Sequence, residues 1–203
     1  MTLTEERPVN LAAARRAMID SQLRTSGVNE PWVLTAMNSL PREDFVPAAL
    51  RDTCYIDRAL PLGEGRFLAA PLVHGKMLAE AAPAKDDRAL VVTSGSDYLA
   101  ALLAPLVGSM DRIDAAEAAL KGVARGKRGT YSLLVIDGAI EQLPANLAAA
   151  LAEGGRVVTG LAERGVTRLA VGRMIADQVV LQPLADIGMP VLAEFAAAKG
   201  WSF

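Results

Sequence analysis

The run Thr93-Ser94-Gly95-Ser96-Asp97 holds the residues of this chain best placed for chemistry. It follows a short apolar stretch, Ala89 to Val92, and precedes an apolar helical pattern from Tyr98 to Val107, so it reads as the turn between a strand and a helix. In an open α/β sheet, ligands sit at the carboxyl ends of the strands, and a glycine in such a turn lets backbone approach them closely. Backbone N–H groups at the following helix start then receive an anionic group. Asp114 closes the next strand-like run, Ser109 to Asp114, where an acidic side chain commonly holds ribose hydroxyls. The cofactor-binding candidates are therefore Thr93, Ser94, Gly95, Ser96, Asp97 and Asp114. On its own, one glycine in such a turn fits an ordinary βα connection equally well.

Other chemistry-bearing residues are few. His74 is the only histidine and Cys54 the only cysteine, which rules out an internal disulfide and the common His/Cys zinc spacings, so no metal site is expected. Cys54 lies between Thr53 and Tyr55 with no histidine nearby in sequence and reads as a small packed residue. His74 is expected on the surface of a helix that starts at Pro71, with a catalytic base as the alternative. Asp137 follows an apolar strand and reads as a surface loop acid that needs no function, the alternative being a new polar site.

These residues need a scaffold, and the pattern supplies one. From Leu11, apolar residues recur at Ala14, Met18, Ile19 and Leu23, with Gly27 as the stop. Asn29 is placed to cap a second helix whose first turn holds Pro31, whose buried face is Val33, Leu34 and Met37, and which Pro41 ends. Arg42 to Ala70 shows little periodicity and reads as an ordered loop region. Pro71 opens a helix to about Ala82. Beyond Pro83, strands alternate with helices: Ala89 to Val92, Ser109 to Asp114, Ser132 to Ile136 and Arg156 to Gly160 as strands, Ala115 to Val123 and Pro144 to Ala152 as helices. That order argues for a parallel sheet covered on both faces. Thr167 to Ile175 and Gln178 to Gln182, flanking Ala176-Asp177, read as an antiparallel hairpin.

With 203 residues, 52% hydrophobic and 22% charged, the chain has the size and composition of one globular domain. Residues 1–82 carry the helices and the irregular segment, and 83–203 the sheet. A net charge of −2 gives no general attraction to nucleic acid or anionic membranes, and the basic run Lys121 to Arg128 reads as a solvated loop. The polar, acidic start MTLTEERPVN does not resemble a signal peptide, and stretches such as Leu99 to Val107 are too short to span a membrane, so a cytoplasmic location is expected.

Outside the nucleotide-binding pattern, PREDFVPAALRD (Pro41 to Asp52) and Tyr55-Ile56-Asp57-Arg58-Ala59-Leu60-Pro61-Leu62-Gly63-Glu64-Gly65 resemble the protein-L-isoaspartate O-methyltransferase family. Tyr131 to Ile136 and Gly154 to Val158 are similar to that family's fourth and fifth strands, and the likeness runs from Arg15 to Val191. It implies a Rossmann-like, S-adenosylmethionine-dependent methyltransferase fold: a mostly parallel sheet, a C-terminal antiparallel hairpin and N-terminal helices. It also implies carboxyl methylation of isoaspartyl residues in damaged proteins or peptides.

The departures from the family pattern fall at the functional positions. Where the family's cofactor loop reads Glu-Ile-Gly-Thr-Gly-Ser-Gly-Tyr, this chain has Val91-Val92-Thr93-Ser94-Gly95-Ser96-Asp97-Tyr98. One loop glycine of three remains, and Val91 replaces the strand carboxylate. Thr93 and Asp97 place Cβ atoms where backbone must approach the cofactor, and Asp97 can cap the helix N–H groups itself. Asp114 stands at the ribose position. The reactive loop, Gly-Gln-Thr-Ile-Ser-x-Pro in the family, is Gly65-Arg66-Phe67-Leu68-Ala69-Ala70-Pro71 here, so Ala69 occupies the place of the functional serine. Methyl transfer to a carboxylate is an in-line displacement at a sulfonium, so a lost hydroxyl slows the reaction without forbidding it. Residues 115 to 130 suffice for one crossover helix, so the family's third strand is expected to be missing. Together these imply weak or absent cofactor binding and activity. The alternatives are a non-catalytic interaction or scaffolding domain, and a methyltransferase with another acceptor using Asp137 or His74.

Overall fold

The computed structural model describes residues 9–123 and 127–197. Helix α1 (Leu11–Met18) starts at Asn10, whose side chain accepts from the Ala13 N–H at 3.0 Å, and runs on through wider and tighter turns to Gly27. Met18, Ile19 and Leu23 are buried along it, as the stripe requires. Helix α2 (Pro31–Ser39) buries Val33, Leu34 and Met37. Its cap position is taken by Glu30 rather than Asn29, and the Glu30 carboxylate accepts from the Asn29 N–H at 3.1 Å.

The segment expected to be loop has short-range order. Two 3-10 turns, Arg42–Phe45 and Ala48–Thr53, lead into a small antiparallel hairpin of β1 (Leu60–Gly63) and β2 (Arg66–Leu68). Three- and four-residue strands are too short to leave a period-2 signature. Helix α3 (Pro71–Ala81) follows, with Pro71 in its first turn.

The main sheet holds β3 (Arg88–Thr93), β4 (Ser109–Asp114), β5 (Tyr131–Ile140), β6 (Leu151–Glu163), β7 (Val166–Ile175) and β8 (Gln178–Asp186) in the order β4-β3-β5-β6-β7-β8. The first four are mutually parallel, and β6, β7 and β8 form an antiparallel meander. Ala176 and Asp177 both adopt positive φ (48° and 62°), the geometry that joins two strands by a two-residue turn. Helix α4 (Tyr98–Leu103) links β3 to β4, α5 (Ala115–Lys121) follows β4, and α6 (Ala145–Ala148) precedes β6. Among the described residues no strand lies between α5 and β5, and β4 forms the sheet edge. The helix expected to run to Ala152 ends at Ala148, because Leu151 already pairs with Tyr131 and β6 begins there.

Alternation divides the sheet between two cores. Ala89, Val91, Leu133 and Val135 pack toward α1, α2, α3 and α4, while Leu90, Val92, Leu134 and Ile136 pack toward α5, α6 and Phe195. Thr93 pairs with Asp114 in the parallel register, so both candidates arrive together at the carboxyl edge of the sheet.

Candidate functional site

At the carboxyl end of β3 the chain turns through Thr93, Ser94, Gly95, Ser96 and Asp97. Thr93, Ser94 and Ser96 are buried, and the Ser96 hydroxyl accepts from the Tyr98 N–H at 3.2 Å. Gly95 has φ 88°, a conformation side-chain-bearing residues rarely adopt. Asp97 sits at the cap position of α4, yet its carboxylate makes no capping bond. It turns outward to pair with Arg112 on β4. The expected capping by Asp97 is therefore not what this side chain does: a facing guanidinium on the neighbouring strand takes it instead.

Asp114 is held from two sides. It caps α5 by accepting from the Ala116 N–H at 2.8 Å, and the same Oδ1 lies 3.4 Å from a guanidinium nitrogen of Arg66. The other terminal nitrogen of Arg66 lies 2.8 Å from Glu194 Oε1. Between backbone and guanidinium, the Arg66 side chain lies directly on the turn: a Cβ placed on Gly95 would meet Arg66 Cβ at 2.5 Å and Cγ at 3.0 Å. The close approach that a glycine permits to a ligand is thus made by a side chain of the protein itself. In this arrangement Arg66 covers Gly95 and engages the carboxylate of Asp114.

The reactive-loop segment runs from the hairpin into α3. Ala69 is buried, and its carbonyl accepts from Arg42. Arg42 is fully buried and organises this region. Its Nε donates to the Cys54 carbonyl at 2.7 Å, and its guanidinium carbon lies 5.0 Å from the Tyr98 ring centroid. A further nitrogen lies 3.1 Å from His74 Nδ1, while His74 Nε2 lies 3.0 Å from Asp137 Oδ1. Arginine can only donate, so Nδ1 accepts, and the ring proton sits on Nε2 and is donated to the Asp137 carboxylate. The result is a chain Arg42–His74–Asp137 with a cation at one end and an anion at the other. Burial pulls the Arg42 guanidinium below its ordinary value, against the opposing pull of Tyr98, Cys54 and Asp137. Burial likewise pushes the Tyr98 hydroxyl up to about 12.

Both His74 and Asp137 therefore correct the sequence reading. Neither is on the surface: His74 is completely buried and Asp137 is 6% exposed. Helix α3 is enclosed on several sides, with Pro71, Val73, His74, Gly75, Met77, Leu78 and Ala81 all buried, so it has no solvent face at position 74. Strand β5 continues past Ile136 to Ile140, which carries Asp137 inward instead of into a loop. Gly138 beside it (φ 153°) leaves room for Leu192, whose side chain would lie 2.7 Å from any Cβ there. Cys54 is the packed residue expected: it is fully buried, and burial pushes its thiol up to about 11.

A second cluster, which draws on Glu43 and Tyr55 from the two segments quoted above, ties the first helix to this region. Arg15 donates to the Tyr55 hydroxyl at 2.7 Å and to Glu43 at 2.9 Å, Tyr55 donates to Glu43, and Gln22 donates to the Tyr55 carbonyl at 2.8 Å. Burial works to raise the Glu43 carboxyl, but the bonds from Tyr55, the Glu43 N–H and Arg15 outweigh it and hold it below its usual range. Among the described residues no group of three or more His, Cys, Asp or Glu side chains is arranged to hold a metal. No described helix is long and apolar enough to cross a membrane.

The chain is similar to known proteins over nearly its whole length. It is 31% identical over 217 aligned positions to protein-L-isoaspartate O-methyltransferase 1 of Rhodopseudomonas palustris, covering 95% of this chain and 87% of that one. It is 32% identical to the protein-L-isoaspartate O-methyltransferase of Methanoculleus marisnigri, covering 92% and 93%. In fold it is similar to a protein-L-isoaspartate O-methyltransferase structure from Plasmodium falciparum in complex with S-adenosyl-L-homocysteine, with a TM-score of 0.71 at 17% identity, covering 89% of this chain and 98% of that one. Residues 13–129 match the model of one family, so that Arg42, His74, the β3 turn and Asp114 fall within the match and Asp137 lies beyond it. On this evidence the chain belongs to the protein-L-isoaspartate(D-aspartate) O-methyltransferase family.

Proposed function

We propose that this chain descends from S-adenosylmethionine-dependent methyltransferases of isoaspartyl proteins and peptides, and that its own methyl transfer is weak or lost. Family membership supports the substrate and cofactor class. The observation that carries the loss is at residue 69. The family's reactive hydroxyl is replaced by a buried methyl group whose backbone Arg42 holds in place, so the side chain at this position offers no oxygen. The cofactor turn supports the same reading: Val91 is fully buried where the family has a carboxylate, and Thr93 and Asp97 stand where it has glycines.

His74 and Asp137 do not favour a new acceptor chemistry. Their mutual bond and their burial leave His74 without access to a substrate. Of the alternatives, a non-catalytic interaction domain is the better supported. The experiment is tritiated methyl incorporation from S-adenosylmethionine into an isoaspartyl peptide. Incorporation near background is expected, and robust turnover by the wild type would overturn the proposal.

A further inference from the structure

We infer that Arg66 is a latch: a residue of the protein that closes the ligand cleft and ties the β1–β2 hairpin to the C-terminal segment across it. The inference rests on the family reading above for the class of ligand, a nucleoside with a cationic tail, and on the geometry alone for the latch.

Three observations converge on it. The aliphatic part of Arg66 lies on Gly95, at the one point of the turn where backbone is bare. Its guanidinium then divides between Asp114 and Glu194, at 3.4 and 2.8 Å, with all three side chains at least partly withdrawn from solvent. Glu194 in turn belongs to a segment anchored on the carboxyl end of β5. Ala139 donates to the Pro190 carbonyl at 2.7 Å, Leu192 donates back to Ala139 at 2.8 Å, and the amides of Glu141 and Gln142 both donate to the Phe195 carbonyl at 3.2 Å. Arg66 is thus, among the described residues, an ionic contact between the hairpin and the 190–195 segment, made beside Gly95 and Asp114 at the carboxyl edge of the sheet.

The charges say what could replace it. Removing Arg66 leaves Asp114 and Glu194 unpaired on either side of the same space, which disfavours an empty open cleft. A ligand that brings hydroxyl donors to Asp114 and a positive charge near Glu194 restores what the guanidinium supplied. A ribose and a cationic tail have those properties, whereas an anionic ligand such as free phosphate does not. Binding therefore requires Arg66 to withdraw, and the hairpin and the C-terminal segment to part.

The test is titration calorimetry with S-adenosylmethionine on the wild type and Arg66→Ala, combined with amide hydrogen exchange on these two proteins and Glu194→Gln. Arg66→Ala is expected to bind at least tenfold more tightly than the wild type, whereas Glu194→Gln removes a latch contact and the ligand's own carboxylate partner together and is read by exchange alone. Exchange is expected to accelerate together at residues 66–68 and 190–195 in Glu194→Gln, although the substitution touches only one of the two segments. Equal or weaker binding by Arg66→Ala in a protein with wild-type circular dichroism overturns the latch, as does faster exchange confined to 190–195. Should Arg66→Ala fail to fold, Arg66→Gln, which removes the charge and keeps a side chain of similar length, decides by the same two readouts. Methyl-transfer activity of the wild type bears on the proposed loss of function alone, since the latch is judged by the ratio between variant and wild type.

Discussion

His74 Nε2 and Asp137 Oδ1, 63 residues apart in sequence, meet at 3.0 Å in the interior, and Arg42 closes the other side of the imidazole at 3.1 Å. The neutral ring relays between a buried cation and a buried anion that do not touch. It also joins the segment before α3, the reactive-loop backbone at Ala69 and the end of β5. Such a network is costly to break from one end, because the remaining charge stays buried without its partner. Asp137→Ala is expected to destabilise the protein by about 3–5 kcal/mol. Asp137→Asn should cost less, since its amide oxygen can still accept from Nε2–H. Urea unfolding of the three proteins measures this, and an Asp137→Ala variant within about 1 kcal/mol of wild type would show that the chain contributes little.

The alternating strands and helices, the shared carboxyl edge of Thr93 and Asp114 and the Ala176-Asp177 turn were all legible in the sequence, because each rests on local periodicity or turn chemistry. Missing from it were the contacts that define the site. Arg42 meets His74 across 32 residues and Arg66 meets Asp114 across 48, and neither pairing leaves a periodic trace. His74 was misplaced because a helix buried on several faces has no polar stripe from which to read a solvent side. Asp137 was misplaced because a strand that continues through a polar residue looks, in sequence, like a strand that ends. The departures at Ala69, Val91, Thr93 and Asp97 were visible only against the family pattern, and none of them pointed to the arginine side chain lying over Gly95.

Asp87 should contribute to acid sensitivity. It accepts from Ser132, the Ala84 N–H and Arg156 at 2.6, 2.8 and 2.7 Å. Burial works to raise its carboxyl, but these bonds outweigh that and hold it below the usual range. A depressed carboxyl adds stability that is present above its unfolded value, about 3.9, and lost as the pH falls through the lower folded value. Asp87→Asn is therefore expected to be less stable than wild type at pH 7, with the gap narrowing below about pH 4. Urea midpoints at pH 7 and pH 3 check this, and a gap that widens in acid would contradict it.

Restoring the serine alone should not restore activity. In Ala69→Ser the hydroxyl returns, but Arg66 still covers the turn and Val91 still lacks a carboxylate, so methyl incorporation into an isoaspartyl peptide is expected to stay at background. The same assay on a variant combining Ala69→Ser with Val91→Glu, Thr93→Gly and Asp97→Gly tests the full set of departures. Val91 is wholly buried, so its replacement by glutamate puts a charge into the core and folding must be measured separately. Asp97→Gly is the mild member: its side chain makes no cap and pairs only with exposed Arg112, so a cost below about 1 kcal/mol is expected. Turnover by Ala69→Ser alone would show that the cofactor turn is less damaged than its sequence suggests.

Gly95 and Arg66 should be coupled in stability. Gly95→Ala carries two penalties that can be separated. The positive φ of 88° costs a side chain about 1–2 kcal/mol wherever its neighbours lie. The new Cβ also meets Arg66 Cβ at 2.5 Å and Cγ at 3.0 Å, too close to be accommodated without moving β2. Arg66→Gly removes both of those atoms but leaves the backbone conformation at 95 unchanged. In a double-mutant cycle, the cost of Gly95→Ala should therefore be larger in the wild-type background than in Arg66→Gly, by about 1–3 kcal/mol, the range typical of contacting residues. A residual cost of about 1–2 kcal/mol should persist in the Arg66→Gly background from φ alone. Urea unfolding of the four proteins gives the coupling directly, and additive effects would mean that the Arg66 side chain does not rest on the turn in solution.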